Sequence, residues 1–229
     1  MRRTDDAGLF NIPIESLPSR IGWVTPPSSA EATFEECGYI LFIDHPGTGW
    51  HNVAEPGLDR KGQNTALNAL YGIALRSMAV IHRAVGTADA AERYEAESRR
   101  VNAASHRFWD RRKGLFSDGR MGDHLHDRFS QQTNTWCVAA DWVRPARTRK
   151  ILKTLLDRDD PERVRCGPYF WAYLLPELAR VGLVRAGLDA IETLWSPMVA
   201  AGATTLWETF AGDELDSYCH PWSAAPVEF

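Results

Sequence analysis

From Gly62 onward, apolar residues recur three and four positions apart in one run after another, with turn residues between the runs. That period is the side-chain repeat of an amphipathic α-helix, and short breaks between such helices make neighbours lie antiparallel. Leu67, Leu70, Tyr71, Ala74, Leu75, Met78 and Ile81 form the first stripe, with Gly86 as a stop and Thr87 as an N-cap for the next helix. Ala91, Tyr94, Ser98, Val101, Ser105 and Phe108 trace that second helix. A glycine-bearing loop over 111–129 precedes a helix expected over 130–143, and Pro145 and Pro168 each stand where a further helix begins. The Pro168 helix carries Phe170, Trp171, Leu174, Leu175, Leu178 and Val181 up to Gly182; the next carries Val184, Leu188, Ile191, Leu194, Trp195 and Met198. Six helices plus a last one from Pro221 predict an all-α architecture without β-hairpins. The hairpins differ in length and share no repeat signature, so a closed or partly closed ring is expected rather than a regular solenoid.

The first 61 residues read differently, as a loop-rich segment packing on the helical part, 62–229. Prolines and glycines interrupt every helical period there, and Gly38-Tyr-Ile-Leu-Phe-Ile-Asp44 is the one short apolar run. The balance of 26 Lys+Arg against 30 Asp+Glu, with no basic run longer than Arg111-Arg112-Lys113, argues against a nucleic-acid partner. No apolar stretch approaches a membrane span and no hydrophobic signal core follows Met1, so a cytoplasmic chain without a membrane partner is expected. Cys37, Cys137, Cys166 and Cys219 are widely spaced and are expected to be free, buried thiols. Nine tryptophans suit both core packing and stacking on the faces of sugars.

Three segments gather residues that could carry chemistry. Phe42-Ile-Asp-His-Pro-Gly-Thr-Gly-Trp-His51 brings Asp44, His45, Trp50 and His51 among glycines that let backbone approach a ligand, and it runs on to Asp59 just before the first helix. Capping of turns and helix ends would use the same carboxylates. Asp44, His45 and His51 lack a recognised ligand spacing; the alternate spacing of His124-Leu-His126 could bring two imidazoles to one ion, but exposed loop residues look the same, and no metal or other cofactor is expected. The third, Gly202-Ala-Thr-Thr-Leu-Trp-Glu-Thr-Phe210, places Glu208 directly after Trp207 in a run of small and apolar residues, where partial desolvation would suit its carboxylate to proton transfer. A capping or ion-paired carboxylate is the plainer reading of that glutamate. His220 and Trp222 follow at Ser217-Tyr-Cys-His-Pro-Trp-Ser-Ala-Ala-Pro226.

Together the Trp207-Glu208 and His220-Pro-Trp222 segments resemble the end of the catalytic domain of bacterial α-L-rhamnosidases of glycoside hydrolase family 78. Further matches fall in the same order: the Asp44 loop, Asp59-Arg-Lys-Gly62 before Ala66-Leu-Asn-Ala-Leu-Tyr71, Phe108-Trp-Asp110 with Gly114-Leu-Phe-Ser-Asp118, Ser130-Gln-Gln-Thr-Asn134 and Pro168-Tyr-Phe-Trp-Ala-Tyr-Leu-Leu175. The resemblance implies an (α/α)6 toroid with a saccharide pocket at one end. It implies an inverting hydrolase that removes terminal α-L-rhamnose from oligosaccharides or glycosides. Glu208 would be the general base that activates water. Asp44, His45, Trp50, Asp59, Trp171, Trp207, His220 and Trp222 would bind the sugar.

The family's general acid belongs to a motif upstream of the Asp44 loop, where Asp5, Asp6 and Glu15 lack the surrounding pattern. Twelve helices of ~12 residues with ~5-residue connections need ~200 positions, but the first sixty residues read as loop and only about seven helices fit in the rest, so an incomplete ring is expected, with upstream domains of the same enzyme missing. Two other readings stay open: a truncated, non-catalytic toroid fragment that at most binds carbohydrate, or a related toroid enzyme such as an unsaturated glucuronyl hydrolase or a polysaccharide lyase.

Overall fold

Asn64 opens the helical part by accepting a hydrogen bond from the Leu67 N–H at 2.9 Å, which satisfies one of the donors a helix N-terminus leaves over. The structure is a computed structural model, and it describes residues 63–160, 163–212 and 217–229. The segment expected to be loop-rich, 1–61, with its apolar run at 38–44 and the residues Asp44, His45, Trp50 and Asp59, lies outside the described residues.

Helix α1, Thr65–Ala84, and helix α2, Ala88–Ala104, form the first hairpin. Gly86, at φ +77, supplies the left-handed turn residue. Thr87 stands at the start of α2 without capping it; its hydroxyl instead donates to the His82 carbonyl oxygen at 3.1 Å. The buried face of α1 is Thr65, Ala66, Asn68, Ala69, Gly72, Leu75 and Ala79, while Ile81 is 53% exposed, so the expected stripe is rotated towards the small residues. The cause is the close approach of α2. A Cβ on Gly72 would stand 3.2 Å from Asn102 Oδ1, and Ser98 donates to the Gly72 carbonyl oxygen at 3.2 Å.

The stretch expected to be plain loop supplies strands to two small sheets, contrary to an architecture without β-hairpins. Strands β2 (Trp109–Asp110) and β3 (Leu115–Phe116) pair antiparallel. Asp110 Oδ1 accepts the Arg112 and Lys113 N–H groups at 2.7 and 2.9 Å, and Gly114 at φ +67 completes the turn. Strands β1 (Gln63–Asn64), β4 (Gly119–Met121) and β5 (His124–Leu125) make a three-stranded sheet with β4 in the middle. Strands of two or three residues are too short for alternation to register in a sequence.

Helices α3 (Gln131–Ala139) and α4 (Pro145–Leu156) form the second hairpin, and α5 (Trp171–Arg180) and α6 (Val184–Ala200) the third. Helix α3 stops short of the expected 143, because Asp141 takes a left-handed φ of 58. Helix α1 packs on α2 and α3, α3 on α4 and α5, and α5 on α6. Thus α1, α3 and α5 form an inner row and α2, α4 and α6 an outer one, the alternation of an all-α toroid of helical hairpins, of which the described residues hold three. The helix expected from Pro221 is instead two 3-10 turns, Pro221–Ser223 and Ala225–Val227.

Inner helix α3 is polar yet buried, and its side chains hold the loops around it. Asn134 pairs with Phe116 as a second strand would, accepting its N–H at 2.8 Å and donating to its carbonyl oxygen at 2.9 Å. Gln131 donates to the Leu155 carbonyl oxygen and accepts the Cys166 N–H, at 2.7 and 2.8 Å. Ser130 caps α3 through the Thr133 N–H and donates to the buried Asp118 at 2.6 Å. At the other end, Arg76 of α1 donates to the Ala139 and Ala140 carbonyl oxygens, and Arg180 of α5 to that of Val138.

Cys137 and Cys166 are buried thiols as expected, and burial pushes the Cys137 thiol well above its ordinary value. Cys219, against expectation, is exposed, since it stands in the open loop after α6. No helix among the described residues is long and apolar enough to cross a membrane.

Candidate active site

The polypeptide leaving α6 doubles back on itself, and that return positions Glu208. Residues 205–208 and 217–220 run side by side. The Glu208 N–H donates to the Ser217 carbonyl oxygen at 2.8 Å, the His220 N–H donates to that of Leu206 at 2.8 Å, and the Thr205 hydroxyl donates to that of Tyr218. The Ser217 N–H donates to Glu208 Oε2 at 3.0 Å, so the half-buried carboxylate is held by the neighbouring strand of the loop. Two aromatic residues fasten the loop to the body. Phe210 packs edge-on against Trp195 at 4.8 Å, and Trp195 in turn donates its indole N–H to the Ser223 carbonyl oxygen at 3.1 Å.

Trp207 folds over Gly212, where an added Cβ would stand 2.6 Å from its ring, and it meets Tyr218 edge-on at 5.2 Å. Only glycine fits at 212, both for that contact and for its φ of +65. His220 and Trp222 pack edge-on at 5.4 Å; Trp222 also lies 6.3 Å from Tyr169 and is 71% exposed. Behind them, the Tyr169 and Tyr173 hydroxyls are hydrogen bonded at 2.7 Å, and Tyr173 packs on Trp136 at 4.6 Å. An aromatic wall thus stands beside the Glu208 loop, with polar edges on its tyrosines and on His220. Flat apolar faces with polar rims are what a pyranose ring requires.

Of the expected site residues, the fold gathers Trp207, Glu208, His220 and Trp222 on this loop. Trp171 is placed elsewhere. It is 3% exposed in the main core, edge-on to Trp195 at 5.9 Å, so it buttresses the loop from beneath and offers no face to a sugar. Tyr169, Tyr173, Tyr218 and Trp136 were not anticipated. His124 lies exposed on β5, and the His126 ring packs against Gly119. Among the described residues, no group of three His, Cys, Asp or Glu is arranged to hold a metal ion.

Three helical hairpins in alternating inner and outer rows define an all-α toroid class of fold. Residues 43–229 match the family described as the bacterial alpha-L-rhamnosidase 6 hairpin glycosidase domain, and the chain belongs to that family. Its fold is shared with the GH78 family rhamnosidase of Bacillus sp. GL1, at 24% identity and a TM-score of 0.71 over 98% of this chain and 21% of that one. It is shared also with a rhamnosidase from Klebsiella oxytoca with rhamnose bound, at 23% identity and a TM-score of 0.58 over 70% of this chain and 33% of that one. The chain therefore spans a fifth to a third of the length of these two structures. Comparison with curated proteins gives no match.

Proposed function

We propose that this protein is a glycoside hydrolase that removes terminal α-L-rhamnose from oligosaccharides or glycosides with inversion, using Glu208 as general base. The observation that carries this reading is a half-buried, backbone-held carboxylate on the same doubled-back loop as the ring pairs Trp207–Tyr218 and His220–Trp222. In such a reaction, Glu208 takes a proton from water as the water attacks the anomeric carbon on the face opposite the leaving group. A second carboxyl group ~6.5–9.5 Å away protonates the departing oxygen. On the family's pattern that acid lies upstream of the Asp44 loop, and the resemblance assigns Asp44, His45, Trp50 and Asp59 to sugar binding. Rhamnose, a neutral deoxysugar, suits a wall of rings better than an acidic sugar would.

Hydrolysis of an aryl α-L-rhamnoside tests the proposal. We expect Glu208→Gln to lower kcat by about 10²–10⁴ and the first-formed sugar, followed by NMR, to have the opposite anomeric configuration. Unchanged turnover in the variant would sink the assignment of the base. Because the chain spans only 21% and 33% of the two structural relatives, a second reading is a carbohydrate-binding unit without turnover of its own. Rhamnose binding with no hydrolysis by the unsubstituted protein would favour it.

A further inference from the structure

Away from the Glu208 loop, the β2–β3 hairpin and the start of α4 enclose a cavity of about 920 Å³, within the size range of ligand pockets. Among the described residues, it shares no lining residue with the Trp207–Trp222 segment. The two sites lie towards opposite ends of α3. Gln131 at its start holds Val164 and Cys166 on the approach to Tyr169 and hence Trp222, whereas the cavity takes in Trp142, Val143 and Arg144 just past its C-terminal end.

Trp109, Trp142, Arg111, Arg144, Arg147 and Lys150 line the cavity, and among the described residues no Asp or Glu lines it. In a chain with a net charge of -4, this is a local concentration of positive charge against the overall sign. None of the four cations makes an ion pair among the described residues, although Arg76, Arg83, Arg100, Arg180 and Arg185 all do. Nearby Asp110 is engaged as the cap of its own hairpin. The aromatic floor is fixed in place: the Trp142 indole donates to Asn102 at 2.9 Å, and Trp109 packs edge-on to Phe116 at 4.9 Å. The Arg147 guanidinium lies 5.6 Å from the centre of the Trp109 ring, at once a cation–π contact and a charge held at the edge of a stacking surface.

Converging unpaired cations repel one another, and an anion between them relieves that repulsion; rigid indoles beside them offer a face to a flat, largely apolar ring. We infer that this cavity binds a carboxylate-bearing saccharide, a uronate residue whose ring lies on Trp109 or Trp142 and whose carboxylate meets Arg144 and Arg147. The anionic part of the inference stands on the cavity alone. The saccharide part rests on the proposed function, since a protein that trims terminal sugars from an oligosaccharide gains by holding a charged part of that oligosaccharide away from the bond it cuts.

The test is calorimetric titration of the protein with trigalacturonate and with its methyl ester, which has the same rings without the charge. We expect the acid to bind about tenfold or more tighter than the ester, an advantage that salt erodes, and the exposed-site double variant Arg144→Gln/Arg147→Gln to remove it. Hydrolysis of an aryl α-L-rhamnoside by that variant should equal that of the unsubstituted protein, so failure of this site and failure of the Glu208 assignment are separable. Equal binding of acid and ester, or binding indifferent to the double variant, would overturn the inference. Tighter binding of inorganic phosphate or of an RNA oligonucleotide than of trigalacturonate would overturn the saccharide assignment.

Discussion

Tyr169 and Trp171 stand two positions apart and face opposite ways. Trp171 shares the period of Leu174, Leu175 and Leu178, all within 1% of full burial, whereas Tyr169 and Tyr173, four apart, turn towards Trp222 and Trp136. The same periodicity that marked the core stripe could therefore have placed the tryptophan in the core and the two tyrosines on the side of Trp222. The placements differ in their consequences. Trp171→Ala should cost about 3–5 kcal/mol of stability by opening a cavity in the core. Trp222→Ala, at an exposed site, should leave the melting temperature nearly unchanged and weaken rhamnose binding by about 0.5–1.5 kcal/mol. Thermal unfolding and sugar titration of the two variants check the contrast, and a destabilised Trp222→Ala would count against the proposed part of that ring in sugar binding.

At the scale of elements, helix positions were legible and their orientation was not. The period located α1 and α2, but the face α1 buries was decided by the fit of α2 against Ala69 and Gly72, a steric relation between two segments that no local period contains. The β-hairpin at Trp109–Phe116 shows the same limit, since its motif Phe108-Trp-Asp110 with Gly114 serves the turn rather than the site. The tip of the α1–α2 hairpin is tied by Arg83 of α1 to Glu95 of α2. The hydrogen bond from Arg83 holds the Glu95 carboxyl below its ordinary value of 4.5. A carboxylate with a lowered folded value contributes stability that is present above its unfolded value and is lost as pH falls through the folded one. Urea unfolding across a pH series should therefore show Glu95→Gln slightly less stable than the unsubstituted protein at neutral pH, and the difference should vanish in acid below the carboxylate range. A difference that grows in acid would contradict the pairing.

Over the whole molecule, two apolar clusters share residues. One lies between α1, α2 and the β2–β3 hairpin, the other between α3, α4, α5 and α6, and Trp109, Trp136 and Val143 pack against both. Arg76 adds a polar tie from α1 to the end of α3. The described part should consequently unfold as one unit, with far-UV circular dichroism and tryptophan fluorescence falling together in a denaturant titration. Separate transitions would mean that the hairpins melt independently. The sequence alone determined the helical-hairpin class, the family and the loop that carries Glu208, because helix period, turn residues and short motifs are local and survive without knowledge of what packs where. Only the tertiary structure decided which rings face solvent beside that loop, that Trp171 lies beneath it, and that four cations from two separate stretches of chain converge on one aromatic cavity. Those facts depend on contacts between segments far apart in sequence, and such contacts exist only once the hairpins have packed.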